Sequence, residues 1–506
     1  MMKLSRSSIP SLQSGKLQLP PEGIFDAPEK ILQFGTGVLL RGLPDYFVDK
    51  ANRAGIFNGR IVVVKSTEGG DSVPFADQNA LYTICVRGIE AGNKVEENII
   101  SSAISRVISA KSSWNEVLKC AGNPQISIII SNTTEVGITL VNEPITGNPP
   151  ESFPGKLLAF LYERYNKLGN DIQNGTVIIP TELIVDNGPK LQEIVNQLAL
   201  YNNLDESFIE WLNTANTFCS SLVDRIVPGK PSEVVRSGIQ NEFGYEDELM
   251  IMAEVYRLWA IRGDEKTRQV LSFAAIDEGV IIQPDIDSYR ELKLRMLNGT
   301  HTLSCGLAVV AGFETVREAM TDTIMSEYIA ALMLDEIASG IPYPLEPRAA
   351  SAFGKTVLDR FRNPFIEHKW ISITMQFSSK MKMRNVPVVL KYYQSRADVP
   401  QCIALGFAAY ILFMKAFKIE DGKFFGEQNG KSYQIVDDQA AYLDGLWKKH
   451  GNPEIVNAVL QDRNLWGADL SLLPGFSVAV NEYLEALIKN GGKKTLTDFQ
   501  QKKVLA

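Results

Sequence analysis

The run Lys30-Ile31-Leu32-Gln33-Phe34 is mostly apolar and stops abruptly at Gly35-Thr36-Gly37. From residue 38 to residue 52, Leu39, Leu40, Leu43, Phe47 and Val48 then recur at helical spacing. Few folds accept a buried strand that passes through two glycines straight into a helix. A second β-rich run over 60–65 closes a β-α-β unit of the length a parallel crossover requires. In such a unit the first glycine permits the tight turn, and the second lets the backbone approach a pyrophosphate resting on the helix N-terminus. Gly35 and Gly37 are therefore candidate dinucleotide-binding positions. The third glycine of the usual pattern belongs at position 40, where this chain has Leu40; Gly42 follows two residues later. An acid at the end of the second strand would read a ribose 2′-hydroxyl and favour NAD. The chain offers Lys65-Ser66-Thr67 there, with Glu68 slightly late, so the loop itself leaves NAD against NADP open.

Further β-rich runs at 82–87, 126–131 and 177–180 alternate with helical segments at 112–121 and 156–168. That alternation predicts an α/β half with a mostly parallel, doubly wound sheet. Past Gln283-Pro284-Asp285 strand signals thin out. Helical periodicity then dominates, most clearly at 289–297, 326–338, 403–417 and 476–489. The expected division is an α/β domain over 1–285 and a mostly α-helical domain over 286–506, with a frayed tail from Gly491.

Composition narrows the partners. A net charge of −8 with scattered lysine and arginine excludes a nucleic-acid surface. The longest apolar run, 402–414, falls short of the roughly 20 residues that span a bilayer, and reads as a buried helix. The first 20 residues lack the apolar core of a signal peptide. Five cysteines without a CxxC pair or a Cys/His cluster provide neither a disulfide framework nor a zinc site. The expected setting is the cytoplasm.

Only three histidines occur, and His301 follows Lys293 by eight residues and Asn298 by three. At about 100° per residue, Asn298 lies roughly 140° and His301 roughly 80° around a helix from Lys293, so one broad face can carry all three. An amine, an amide and an imidazole so placed can pass a proton, polarise a carbonyl and orient a hydroxyl. An ordinary amphipathic helix with a polar edge fits the same spacing. Other polar groups also have two readings. Asn187, in Asp186-Asn187-Gly188-Pro189, either caps the next helix or points its amide into a ligand crevice. Asp224 either pairs with Arg225 or meets a ligand. Asn132, after the run 126–131, stands where doubly wound sheets place ligands. Arg362, Lys380 and Arg384, with His368 nearby, are a solvated charge run or the cations an anionic substrate needs.

Gly35-x-Gly37 with Arg41-Gly42, Asp186-Asn187, Val223-Asp224-Arg225-Ile226 and Lys293-x4-Asn298-Gly299-x-His301 occur in that order. In these motifs the chain resembles the polyol-specific long-chain dehydrogenases, the mannitol dehydrogenase family, which includes hexuronate reductases. Further likeness to the hexuronate branch lies in residues 31–35, 131–138, 218–226 and 361–366. The resemblance implies an N-terminal Rossmann-type domain, a helical C-terminal domain, an active site in the cleft between them, NAD as cofactor and no metal. It also implies roles. Gly35, Gly37, Arg41 and Asn132 would hold the cofactor. Lys293 would be the general acid–base, Asn187 and Asn298 donors to the developing oxyanion, and His301 the partner of a neighbouring hydroxyl. Asp224 and a cation among Arg362, Lys380 and Arg384 would bind a keto-hexuronate, or the aldonate in reverse. A free lysine, with a pKa of about 10.4, is too basic for the base role, so burial beside the positive nicotinamide must lower it. Two departures stand out: Leu43-Pro44 after the glycine loop, and the missing acid after the second strand. A catalytically silent nucleotide-binding sensor is the non-enzyme alternative, and it would be expected to lose the lysine, an asparagine or the histidine; all are present.

Overall fold

The computed structural model describes residues 1–13, 15–66, 72–133, 137–428 and 430–505, with only the backbone of 72 and 503–505. Its contacts divide the chain into two units. Residues 1–88 and 94–286 form the first, and 89–93 with 287–506 the second.

The first unit is built on six strands: β1 (Glu29–Phe34), β2 (Arg60–Lys65), β3 (Ile104–Ser109), β4 (Ile128–Ser131), β5 (Val177–Pro180) and β6 (Thr217–Phe218). They lie in the order β6-β5-β4-β1-β2-β3, and every neighbouring pair is parallel. This is the strand order of the doubly wound dinucleotide-binding sheet, reversing direction between β1 and β4. Helices cover both faces, so the strands read as continuous apolar runs rather than alternating ones. Ile31, Ile61, Val63, Ile128 and Ile130 pack on one side with Phe47 and Val48. Leu32, Phe34, Val62, Val64 and Ile129 pack on the other with Trp114, Phe160 and Leu191.

Three expectations change here. The helix expected over 38–52 is two helices, α1 (Val38–Gly42) and α2 (Pro44–Arg53), broken at Leu43 with φ −134° and ψ −77°. Pro44 is the cause, because its ring disfavours helical backbone in the residue before it. Edge strand β3 was not anticipated; its burial is patchy, and Ser105, Arg106 and Ser109 interrupt the apolar pattern. Residues 82–87, expected in the main sheet, belong instead to a four-stranded sheet made of Tyr82–Glu90, Asn93–Ser101, Ile251–Glu254 and Leu17–Gln18.

The second unit is helical, with one three-stranded antiparallel sheet over 418–435. Helix α3 (Asp287–Leu292) runs through a π-helical turn, Lys293–Gly299, into α4 (Thr300–Ala311). Helix α5 (Gln401–Phe413) is buried on every side except at Gln401 and Leu412, and packs against α4 and α6 (Phe476–Asn490). The expected frayed tail is a helix, α7 (Gly492–Leu505), whose Leu496 and Phe499 enter the core. Among the described residues, no helix is long and apolar enough to cross a membrane.

Candidate active site

At the end of β1, Gly35 adopts φ +124°, and a Cβ there would stand 2.9 Å from the Asn132 carbonyl oxygen. The Asn132 N–H donates to Phe34 O at 3.1 Å, so the turns after β1 and β4 are joined where the strand order reverses. Ligands of such sheets bind at that place. Gly37 caps α1 and is exposed, and a Cβ there would meet nothing within 4 Å. The approach to the turn is open, as a pyrophosphate requires. Leu40, at the expected third glycine, is a core residue. The close-packing role falls to Gly42, where a Cβ would lie 2.9 Å from both methyls of Val227.

Other expected cofactor residues do different work. Arg41 is buried: its guanidinium donates to Leu249 O at 2.7 Å and lies over the Phe75 and Tyr82 rings. Its guanidinium is turned into the core of the unit rather than toward the glycine turn's open side. The Asn132 amide donates to Thr181 Oγ1 at 2.9 Å and to Thr181 O at 3.2 Å, fixing its loop. Beside it stands Glu182, not foreseen, whose carboxylate accepts from Ser131 Oγ at 3.1 Å and from Thr133 N and Oγ1, each at 2.9 Å. An acid just after an apolar strand was the available signal. Thr67, Glu68, Thr134 and Glu135 lie outside the described residues.

Asn187 is 0% exposed, and its amide is consumed. Its Nδ2 donates to Pro180 O at 3.0 Å, Glu182 O at 3.0 Å and Ser221 O at 3.1 Å, and its Oδ1 accepts from Ser221 N at 2.9 Å. Two amide protons already face three carbonyls, so no donor remains for an oxyanion. The catalytic role expected for Asn187 gives way to a structural one. Asp224 is buried at the end of strand Ser221–Asp224, paired in register with Leu258. Its neighbour Arg225 donates to Glu254 O at 2.9 Å and Gly42 O at 2.6 Å, and burial lowers its pKa to about 10.

In the second unit, Lys293 and Asn298 are both half-buried and both lie in the π-helical turn. A π turn bonds i to i+5, so a residue five positions on returns to the same side. Asn298 therefore lies nearer the face of Lys293 than the 100° spacing of an α-helix gives. His301, in α4, stacks on Phe361 with centroids 4.1 Å apart, and meets His368 and Trp370 edge-on at 5.1 and 5.9 Å. Its Nε2 is buried, without a hydrogen-bond partner among the described residues. Burial, reinforced by His368, Arg360 and Arg384, holds its pKa well below the ordinary 6.5. The ring is neutral near pH 7.

Lys380 and Arg384 belong to this group. Arg384 donates to Thr302 Oγ1 at 3.0 Å and Lys380 to Ile373 O at 3.1 Å. Burial lowers the pKa of each, and for Lys380 the charge of Arg384 adds to the effect. Arg362 does not belong. Its side chain is 44% exposed and faces Asp359 at 3.5 Å. Arg360, two residues earlier and buried, acts on His301 together with Arg384. Nothing in the sequence singled out Arg360. Together these residues offer an amine and an amide on one helical turn, a neutral imidazole just beyond, and cations around it.

A parallel sheet of this strand order with an open glycine turn, followed by a helical unit that carries an amine, an amide and an imidazole close together, is the make-up of a dinucleotide-dependent dehydrogenase. Residues 29–272 match the mannitol dehydrogenase Rossmann domain, and residues 285–488 the mannitol dehydrogenase C-terminal domain. The chain belongs to the mannitol dehydrogenase family of oxidoreductases. It is 36% identical to the altronate oxidoreductase of Halalkalibacterium halodurans over 93% of each chain. It is also 36% identical to that of Bacillus subtilis, over 93% of this chain and 95% of the other. Among solved structures, a D-sorbitol dehydrogenase in substrate-free form is similar in fold, with TM-score 0.76 and 19% identity, covering 98% of this chain and all of the other. Pseudomonas fluorescens mannitol 2-dehydrogenase gives TM-score 0.67 and 22% identity over 99% of this chain and all of the other.

Proposed function

We propose that this protein catalyses the reversible, NAD(H)-dependent reduction of D-tagaturonate to D-altronate. The observation that carries the reading is a set of cations on the helical unit: Arg360 and Arg384 act on a neutral His301, and Lys380 lies beside Arg384 and His368, next to the helix that bears Lys293 and Asn298. Such a set can donate to the hydroxyls of a neutral polyol, but its charge matches the carboxylate of a sugar acid. The curated relatives, altronate oxidoreductases, point the same way. Gly35 and Gly37 fit the pyrophosphate of a dinucleotide, which when bound supplies or accepts the hydride.

As the carbonyl carbon gains a hydride, negative charge grows on its oxygen. Lys293 delivers a proton to that oxygen, and in the oxidative direction removes it. Asn298, polar but unable to titrate, donates to the oxygen as charge develops. His301 offers its unpaired Nε2 to a neighbouring hydroxyl, and in the neutral ring that nitrogen accepts or donates according to the tautomer. Lys380 and Arg384 hold the carboxylate. The five cysteines are free and buried, which suits a reducing, cytoplasmic setting.

Lys293→Ala tests the reading: turnover of tagaturonate falls at least about 10²-fold while NADH still binds. Turnover near that of the unaltered enzyme removes the lysine from its role. If fructose is reduced as readily as tagaturonate, the carboxylate is not read, and the mannitol 2-dehydrogenase alternative replaces this one. Preference for fructuronate would identify the other keto-uronate as substrate.

A further inference from the structure

The catalytic turn Lys293–Gly299 is not the only π-helical turn in its unit. Among the described residues Leu332–Ile337 and Met381–Asn385 are two others, both packed against it, and the second exchanges hydrogen bonds with it. The origin of Met381–Asn385 is visible in the sequence. Pro387 follows within the next helix, and a proline lacks the N–H that the carbonyl four residues earlier would accept and crowds that oxygen with its ring. That carbonyl belongs to Met383. The missing donor is supplied from the catalytic turn: Arg295 Nη1 donates to Met383 O at 2.5 Å and to Arg384 O at 2.9 Å. Arg295 is held for this by Glu291, at 2.9 Å.

The exchange runs both ways. The amide of Asn385, 0% exposed, donates to Gly299 O at 3.0 Å. Arg384 reaches Thr302 Oγ1 at 3.0 Å and approaches Asn298 O at 3.5 Å. Gly299 permits the close approach, since a Cβ there would stand 3.1 Å from Asn385 Nδ2. Each turn thus donates side-chain hydrogen bonds to the main chain of the other.

We infer that Asn385 and Arg295 are positioning residues, a clasp that holds Lys293–Gly299 in its π register and so keeps Asn298 in phase with Lys293. Neither acts on the substrate. Without the clasp the turn relaxes toward i→i+4 bonding, and Asn298 rotates away from the face that carries the amine. The inference rests on the roles proposed above for Lys293 and Asn298.

The test compares Asn385→Leu, Arg295→Lys and Lys293→Ala in the full chain. Asn385→Leu removes the donor together with Asn385 Oδ1, a buried acceptor that has no partner among the described residues, which limits the cost to folding. Arg295→Lys keeps the charge for Glu291 and loses the fork that reaches two carbonyls. Both variants are expected to lower kcat about 10- to 100-fold, the scale of a small misplacement of reacting groups. The affinity for NADH is expected to stay within about twofold, and the KM for tagaturonate to change by a smaller factor than kcat. If both fold, melt near the unaltered protein and keep its kcat while Lys293→Ala is inactive, the clasp is overturned and the reading of the lysine stands. If Asn385→Leu does not fold, Arg295→Lys decides by the same split between kcat and KM. If Lys293→Ala keeps its activity, the roles on which the clasp depends are gone, and the inference fails with them.

Discussion

Two buried groups set opposite pH dependences. Asp45, in the first turn of α2, is fully enclosed, and burial raises its pKa from 3.8 to about 7 against the weaker pull of Gln33, Arg41 and Tyr82. The folded state binds this proton more tightly than the unfolded chain. The stability it confers is full below about pH 4 and lost as pH rises through about 7, at most about 4 kcal/mol. Asp45→Asn is expected to flatten that loss, read as denaturant midpoints between pH 4 and 8. His301 works in the other direction. Its depressed pKa means that charging it costs the folded state, so its contribution is full above the unfolded value of 6.5 and lost as pH falls below it. His301→Gln is expected to remove part of the acid-side instability; an unchanged acid limb would refute this. Individual roles were the hardest things to read from the sequence. Arg41, Asn187 and Arg362 have the right chemistry and the right neighbours in the chain, but their side chains turn into the core or out to solvent. Spacing reports the backbone position of a side chain, not what it touches.

At the level of elements, more was legible. The strand-glycine-helix unit is visible because a continuous apolar strand, two glycines and a helical stripe are each local signals, and β1, α1 and β2 follow from them. What escaped depends on contacts distant in sequence. The π turn at Lys293–Gly299 has the hydrophobic pattern of an ordinary helix, and its register is tied to residues some 86 to 89 positions away. The last helix escaped for a related reason. Its polar surface hid Leu496 and Phe499, which are buried by the rest of the unit, and Gly492 sits where a Cβ would lie 2.6 Å from Ala311 N. Truncation after Asn490 is therefore expected to cost about 3–6 kcal/mol from these two side chains alone, a clear drop in melting temperature. A truncated chain that melts with the full-length protein would return the tail to the frayed state its composition suggests.

At the level of the whole molecule, each unit has a hydrophobic core of its own, and the family match runs through both. In the first unit one buried side chain, Asn187, ties three segments together: the end of β5, the Glu182 loop and the strand that starts at Ser221. Replacing it with alanine leaves buried carbonyls unsatisfied, at about 1–3 kcal/mol for each group. Asn187→Ala is thus expected to lose activity because the unit melts, and to recover it when assayed in the cold or with a stabilising osmolyte, whereas Lys293→Ala stays inactive under both conditions. A mutational scan scored by activity alone would class these two residues together. Only the temperature dependence of the loss separates a rivet from a reagent.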